Sequence, residues 1–336
     1  MIPPNKGSAV RHNRLRIIVA MVAGILLASN AGAGQLSAKM ATVGVLLLNP
    51  SSPAIFDAFR RGLQELGYIE GQTLTLEIRH AEGQEAALPN LAADLVQRQV
   101  DVIFAGGDAA VRAAKQATHT VPIAMLINGD PVGSGLISSL QRPGGNVTGI
   151  TGLSPKLSAR RLDILKQVVP KLSHVALLSN PDDETRTLDR QQLQVMARAS
   201  GVRLHPVAIR GPDTFKQTFH SLVQARVDGL IVLSTASTFF YRTQIVKLVA
   251  ENRLPAIYER KEFVEVGGLM AYGTSLPDML RQAAITVDKI LQGAKPATLP
   301  VQPATKFELV INLETANTLG LTIPPSLLSW ADEVMR

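Results

Sequence analysis

The hydrophobic pattern of the chain alternates between short apolar runs of strand length and longer segments with helical spacing. Val43 to Leu48 is a continuous apolar run, which is typical of a strand buried on both faces. A helix is predicted to follow it as far as Leu66, because apolar residues recur every three or four positions and Gly67 then ends it. Further strands are predicted at 74–78, 102–105, 123–127, 147–150, 175–179, 203–209, 230–233, 255–258, 267–273 and 307–311, and further helices at 88–98, 109–117, 187–200, 214–225, 241–251, 276–291 and 315–319.

This regular order of strand and helix predicts the fold class. Strands that alternate with helices indicate right-handed crossovers and parallel sheets. The pattern divides into two similar α/β units that join near residues 151–156, and the later segments indicate further passages between the units. The predicted fold is therefore α/β, with two Rossmann-like lobes of parallel sheet joined by a hinge.

The segment from Ile123 to Gly149 carries polar groups expected of a ligand site. The predicted strand 123–127 ends at Asn128-Gly129-Asp130-Pro131, a cluster of turn residues. Open α/β sheets present their ligands at loops of this kind, where a buried strand ends. A plain β-turn is the alternative interpretation.

A second candidate lies at Gly106-Gly107-Asp108, which ends one predicted strand and opens a helix. The first NH groups of a helix are unpaired, so its N-terminus suits an anionic group such as a carboxylate. The glycines would let a ligand approach the backbone. Asp108 has the alternative role of capping its own helix.

The composition excludes several classes of protein. The chain has 336 residues, 46% of them hydrophobic, which is enough for two domains of ordinary size. Aromatic residues make up only 4%, which argues against a β-sandwich or a platform that stacks bases. There are no cysteines, so disulfides, cysteine-ligated metals, a cysteine nucleophile and a lipid-anchoring cysteine are excluded.

The N-terminus has the pattern of a secretory signal peptide over residues 1–33. Four positive charges precede an apolar run at 17–28, and small residues follow at Ala31-Gly32-Ala33. These four charges belong to the net charge of +7, so the basic balance gives little support to nucleic-acid binding. The prediction places the protein outside the cytoplasm, and an uncleaved N-terminal anchor is the alternative.

Common catalytic motifs are missing from the sequence. There is no G-x-G-x-x-G after the first predicted strand, no phosphate-binding P-loop and no G-x-S-x-G. No two of the six histidines have metal-ligand spacing. We therefore expect no catalytic residues, no metal and no cofactor, and the remaining polar loops favour binding of a small polar solute between the lobes, with closure about a hinge.

Several segments resemble the substrate-binding family of ABC transporters, which has the periplasmic type I binding-protein fold and includes tryptophan and other amino-acid binders. The resemblance covers nearly all of the chain after the leader. The matching segments are 62–68 (GLQELGY), 129–132 (GDPV), 142–149 (RPGGNVTG), 305–313 (TKFELVINL), and IPPSLL and ADEVM around Trp330.

This resemblance implies a ligand cleft crossed by three hinge strands. It implies an N-lobe of residues 41–151 and 272–304 and a C-lobe of residues 152–271 and 305–336. It also implies that the protein delivers solute to a membrane permease driven by an ATPase. Since no lipid-anchoring cysteine is present, we expect a soluble periplasmic form. We also expect a monomer without a nucleic-acid partner.

Candidate ligand-binding residues follow from the topology, because the carboxyl ends of the strands meet at the cleft. For an amino-acid ligand, Asp130 or Asp108 could pair with the ammonium group, while Ser52 and backbone NH groups hold the carboxylate. A tyrosine could stack on an apolar ligand. Each residue has a capping or turn role as its alternative. The candidates are Ser51, Ser52, Gly107, Asp108, Asn128 and Asp130 in the N-lobe, and Asn180, Asp182, Ser234, Thr235, Tyr258 and Tyr272 in the C-lobe.

The leading functional hypothesis is a solute-binding receptor of an ABC importer. A ligand-sensing module that acts through a partner signalling protein is the alternative. An enzyme on a doubly wound scaffold is a third hypothesis, but the sequence shows no nucleophile and base to support it.

Overall fold

The chain folds into two lobes, each built on one sheet. A computed structural model describes Met1 and residues 40–49, 53–152, 155–209 and 211–336, so the predicted signal peptide, Ser51 and Ser52 lie outside the described residues. The strands are β1 Ala41–Leu47, β2 Leu74–His80, β3 Val102–Gly106, β4 Ile123–Ile127, β5 Val147–Thr151, β6 His174–Ser179, β7 Arg203–Ala208, β8 Gly229–Val232, β9 Ala256–Tyr258, β10 Met270–Thr274, β11 Gln302–Pro303, β12 Phe307–Asn312 and β13 Glu333–Met335. The helices are α1 Pro53–Glu65, α2 Leu88–Gln97, α3 Asp108–Ala117, α4 Pro155–Val168, α5 Thr187–Ala199, α6 Phe215–Gln224, α7 Ala236–Phe240, α8 Arg242–Glu251, α9 Lys261–Val264, α10 Leu276–Leu291, α11 Leu313–Leu319 and α12 Pro325–Trp330.

The first lobe contains a parallel sheet in the order β11-β5-β4-β3-β1-β2, covered on both faces. Successive strand residues point to opposite faces. Accordingly Val45 packs in one core with Phe59 of α1 and Met279 of α10, whereas Leu46 packs in another with Leu95 of α2. This two-sided burial explains why the strands are continuous apolar runs.

The second lobe contains a seven-stranded sheet in the order β13-β12-β10-β9-β8-β6-β7. Its pairs are parallel except for β10 and β12, which are antiparallel. Leu177 packs with Leu165 of α4 on one face, and Leu178 packs with Phe219 of α6 on the other. Two sheets of mostly parallel strands confirm the predicted α/β fold class.

The chain passes between the lobes three times. It does so between β5 and α4, between β10 and α10, and between β11 and β12. Position 272, at which the sequence places a lobe boundary, lies inside β10, and every residue from Met270 to Thr274 pairs with β12 of the second sheet. The passage to the first lobe therefore lies after Thr274, where β10 ends, and before α10 begins at Leu276.

Candidate functional site

A cleft of about 490 Å³ lies between the two lobes, at the carboxyl ends of their parallel strands. The first lobe contributes the ends of β1, β3 and β4, and the second contributes the loops after β6, β8 and β9. This is the position at which open α/β sheets bind ligands. Five of the candidates from the sequence line this cleft, namely Gly107, Asp108, Asn128, Ser234 and Thr235.

The polar end of the cleft is organised around Asn128. The register of β3 and β4 places Gly106 opposite Leu126, so Asp108 and Asn128 leave the sheet at matching positions. From the second lobe, Arg260 donates from Nη2 to Oδ1 of Asn128 at 3.0 Å. Asp108 and Asn128 of the first lobe thus line the same cleft as Arg260 of the second.

Asp108 is a partly buried carboxylate, and one of its two oxygens has no partner within the described residues. Its Oδ2 accepts from Nε of Arg112 at 3.0 Å, one turn along α3. Its Oδ1 is buried and has no hydrogen-bond partner in the described part of the chain. Burial raises the pKa of Asp108 to about 6, with repulsion from Asp183 acting in the same direction and Arg112 opposing both.

Arg260 is the corresponding cation. The residue is 6% exposed, and burial lowers the pKa of its guanidinium group. Its Nη1 is buried without a hydrogen-bond partner among the described residues. A charged donor left in this way has a large desolvation penalty, which an anionic group of a ligand would remove.

The wall of the second lobe is fixed by hydrogen bonds to Glu259. The carboxylate of Glu259 accepts from the backbone nitrogen of Ser234 at 2.7 Å. Next to it, the hydroxyl of Thr235 caps α7 by accepting from the backbone nitrogen of Thr238 at 3.2 Å. These contacts hold the loop between β8 and α7 in one conformation at the cleft.

Aromatic side chains form the apolar part of the cleft. Phe104 lies in the middle of β3, and its ring stacks on Phe59 behind it, with 4.5 Å between centroids. The remaining members come from α1 and from α7 of the second lobe. They are Phe56, Phe239 and Phe240. A flat apolar group can therefore pack between rings from both lobes.

Besides the bond from Arg260 to Asn128, three further contacts join the lobes beside the cleft. Nη1 of Arg186 donates to the backbone oxygen of Asn128 at 2.8 Å. The backbone nitrogen of Asp130 donates to the backbone oxygen of Thr185 at 2.7 Å. Arg112 forms an ion pair with Glu184 at 2.8 Å. The structure thus brings the two lobes into direct contact around the site.

A buried ionic cluster supports these contacts from the second lobe. Glu259 binds Arg161 at 2.7 Å and also binds Nη2 of Arg186. Arg186 binds Asp189 at 2.9 Å, and Ser158 donates to the other oxygen of Asp189 at 3.0 Å. Each charge therefore has an opposite partner, as burial requires.

The structure places five other candidates outside the cleft lining. Oδ1 of Asp130 accepts from the nitrogen of Val132, and Oδ1 of Asn180 accepts from the nitrogen of Asp182, so both shape turns. Tyr258 is fully buried and stacks on Phe263, while Tyr272 packs against Trp330. The five are Asp130, Asn180, Asp182, Tyr258 and Tyr272.

Several cleft residues escaped the sequence analysis. Asn49 directly follows the apolar run of β1, so its position was available from the sequence. Arg260 lies two residues after the end of β9. The sequence feature that could have identified it is the charged pair Glu259-Arg260 directly after an apolar strand. Other lining residues that were not candidates include Asp183, Thr185, Arg186, Arg242 and the phenylalanines Phe56, Phe104, Phe239 and Phe240.

The next two features, a metal-binding group and a membrane-spanning helix, are both absent from the described residues. Those residues contain no group of three or more histidine, aspartate or glutamate residues placed to hold a metal ion. No helix within the described ranges has the length and apolar character needed to cross a membrane.

Two lobes of mostly parallel sheet, with a polar and aromatic cleft between their strand ends, define a substrate-binding protein of the periplasmic type. The chain belongs to the ABC transporter substrate binding protein family, which matches residues 40–335.

Relatives of this chain include the tyrosine-binding protein of Clostridioides difficile (strain R20291). It is 26% identical over 297 residues, which cover 88% of this chain and 85% of the relative. A solved structure of an ABC domain from Streptococcus pneumonia in complex with L-Trp is 26% identical, with a TM-score of 0.82 over 88% of this chain and 99% of that chain. A conserved domain protein from Vibrio cholerae is 27% identical, with a TM-score of 0.82 over 88% and 100% of the two chains.

Proposed function

We propose that this protein is the periplasmic receptor of an ABC importer and that it binds an aromatic amino acid in the cleft. The observation that carries the proposal is that two oppositely charged groups line one cleft, each with an atom that lacks a partner among the described residues. Oδ1 of Asp108 and Nη1 of Arg260 are both buried, and neither has a hydrogen-bond partner in the described ranges. A zwitterion supplies both missing partners, its ammonium to Asp108 and its carboxylate to Arg260.

The apolar part of the cleft supports an aromatic side chain. Its volume of about 490 Å³ is well above the roughly 150 Å³ of an apolar cavity that holds benzene. Phenylalanine rings from both lobes line it, and Leu126, Leu276 and Leu280 complete the surface. The names of two relatives, one tyrosine-binding and one solved with L-Trp, support the same class of ligand.

Binding closes the lobes around the ligand. Asp108 belongs to the first lobe and Arg260 to the second, so one zwitterion held by both would pull the lobes together. The contacts of Asn128 with Arg186 and Arg260 then add protein–protein hydrogen bonds to the closed form. A closed receptor presents one face to a permease only when it is loaded, which is the step that import requires.

Titration calorimetry on the purified protein tests the ligand assignment. We expect an aromatic L-amino acid to bind at least about a hundredfold more tightly than its N-acetyl derivative, which lacks the ammonium, or its amide, which lacks the carboxylate. Sugars and polyols serve as controls without charge. Equal binding of the derivatives, or binding of sugars alone, would overturn the assignment.

Uptake by cells tests the role in import. Deletion of the gene should lower the uptake of the radiolabelled ligand, and restoration should require the wild-type protein rather than Asp108→Asn. Osmotic-shock fluid should contain the protein if it is periplasmic. Unchanged uptake in the deletion strain would leave the binding activity standing and reject the role in import.

A further inference from the structure

Arg242 presents a second unsatisfied cation to the cleft. It is the first residue of α8, and its Nη1 donates to the backbone oxygen of Phe239 at 3.0 Å. Its guanidinium carbon lies 4.8 Å from the centre of the Phe239 ring, within the range of a cation–π contact. Two contacts thus fix the guanidinium group at the wall of the cleft.

A further donor of Arg242, its Nε, is not used by the described residues. Its Nε is buried and has no hydrogen-bond partner among the residues that the structure describes. Within the same ranges no carboxylate lies close enough for an ion pair, whereas Arg186 has two such partners, Asp189 and Glu259. Since a buried unpaired donor is unfavourable, the geometry calls for an oxygen atom of the ligand at this point.

The ammonium and carboxylate groups that all amino acids share do not supply that oxygen. In the proposed function the ammonium pairs with Asp108 and the carboxylate with Arg260, which leaves Arg242 unmatched. The guanidinium of Arg260 lies 5.8 Å from the centre of the same Phe239 ring. Both arginines therefore border one aromatic side chain, so a ligand held at Arg260 can reach Arg242 with the far end of its own side chain.

We propose that Arg242 selects aromatic amino acids whose ring carries an oxygen acceptor, such as a phenolic hydroxyl. The inference rests on the proposed function and narrows its substrate class. A guanidinium group only donates hydrogen bonds, and a phenol oxygen accepts them. An indole NH only donates and a phenyl ring offers no acceptor oxygen, so tryptophan and phenylalanine give Nε of Arg242 no acceptor.

A ligand series on the wild-type protein gives the first test. Calorimetry should show L-tyrosine binding at least about tenfold more tightly than L-phenylalanine, L-tryptophan and 4-methyl-L-phenylalanine. The methyl compound matches tyrosine in size but has no acceptor oxygen, so it separates hydrogen bonding from packing. Equal or tighter binding of the methyl compound overturns the role of Arg242 while leaving aromatic amino-acid binding intact. Failure of all four ligands to bind would instead reject the proposed function.

The variant Arg242→Met gives the second test, because it keeps an apolar stem and removes the donors. The ratio of the tyrosine and phenylalanine affinities should fall from tenfold or more to within about threefold of one. Lys247→Met, at an exposed position of the same helix, is the matched control and should keep the wild-type ratio. An unchanged ratio in a folded Arg242→Met protein would also overturn the inference.

Discussion

The backbone nitrogen of Asp130 donates to the backbone oxygen of Thr185 at 2.7 Å, although the two residues belong to different lobes. Asp130 follows β4 of the first sheet, and Thr185 lies in the loop after β6 of the second. A backbone contact this short requires close approach of the two backbone segments. Gly129 makes that approach possible, because a Cβ atom at this position would overlap the carbonyl oxygen of Thr185.

Gly129→Ala should therefore hinder closure without disturbing either lobe. We expect ligand affinity to fall at least about tenfold, since the added methyl group opposes the closed form. Small-angle scattering should show a smaller ligand-induced decrease in the radius of gyration than in the wild type. Gly145→Ala is the control, since nothing lies within 4 Å of its Cβ position. Wild-type affinity in Gly129→Ala would show that this contact does not limit closure.

The two candidate acids from the sequence can be separated by matched substitutions. Asp108 has a buried oxygen with no hydrogen-bond partner among described residues, whereas Oδ1 of Asp130 accepts from the nitrogen of Val132 at 2.9 Å. Asp108→Asn should lower ligand affinity at least about tenfold, because it removes the charge that pairs with the ammonium. Asp130→Asn should stay within about threefold, since asparagine can form the same turn. The reverse order, measured by calorimetry, would assign the ammonium to Asp130.

Ligand affinity should depend on pH through Asp108. Burial and the repulsion of Asp183 raise its pKa to about 6, against the hydrogen bond of Arg112, while Glu184 adds a further repulsion. The ammonium requires the ionised carboxylate, so affinity should be constant above pH 7 and fall up to about tenfold per pH unit below 6. In Asp108→Asn this dependence should disappear. A profile in the variant that matches the wild type would assign the effect to another group.

The raised pKa of Asp108 also affects the stability of the ligand-free protein, and here the ionised carboxylate is unfavourable. A carboxyl group whose folded pKa is raised disfavours the folded form while it is ionised. This penalty applies fully above pH 6 and is lost as the pH falls towards 4. Asp108→Asn should therefore raise the melting temperature of the ligand-free protein at pH 8, and a lower melting temperature would contradict this.

Glu259 should be the acid on which the second lobe depends most. Burial by itself would raise its pKa, but Arg161 and Arg186 outweigh burial and hold the pKa below its ordinary value. The stabilisation is therefore present at neutral pH and is lost as the pH falls through the lowered pKa. Glu259→Gln should reduce the free energy of unfolding by about 3–5 kcal/mol, because it leaves the buried Arg161 without its carboxylate partner and leaves Arg186 with Asp189 alone. Urea unfolding checks this, with the exposed Glu251→Gln as control, and a loss below about 1 kcal/mol would contradict it.

The fold was predictable because its strands are buried on both faces. An apolar run such as Ile123 to Ile127 is typical of a central strand in a sheet covered on both faces, and it forms β4. Helix α4 was not predicted, and the buried cluster explains why. Its inner face carries Ser158 and Arg161, which are almost fully buried, so the apolar pattern of a helix is interrupted where polar residues point inward.

The site was predictable only where position in the topology decides it. Asp108 and Asn128 line the cleft because they follow neighbouring parallel strands. Tyr258 ends its strand as well, but its ring turns into the core and Arg260 reaches the cleft instead. Which of two nearby residues points towards a ligand depends on the backbone beyond the strand, and periodicity does not determine it.

The three passages of the chain between the lobes determine when each lobe can be completed during synthesis. Helix α10 packs against α1 in the core of the first lobe, and β11 pairs with β5 at the edge of its sheet. In the sequence these elements follow β6 to β10, five of the seven strands of the second sheet. An early N-terminal fragment therefore cannot fold into a finished domain, and a ribosome must translate as far as Pro303 before the first lobe has all its parts. Premature truncation would thus damage both halves of the protein at once.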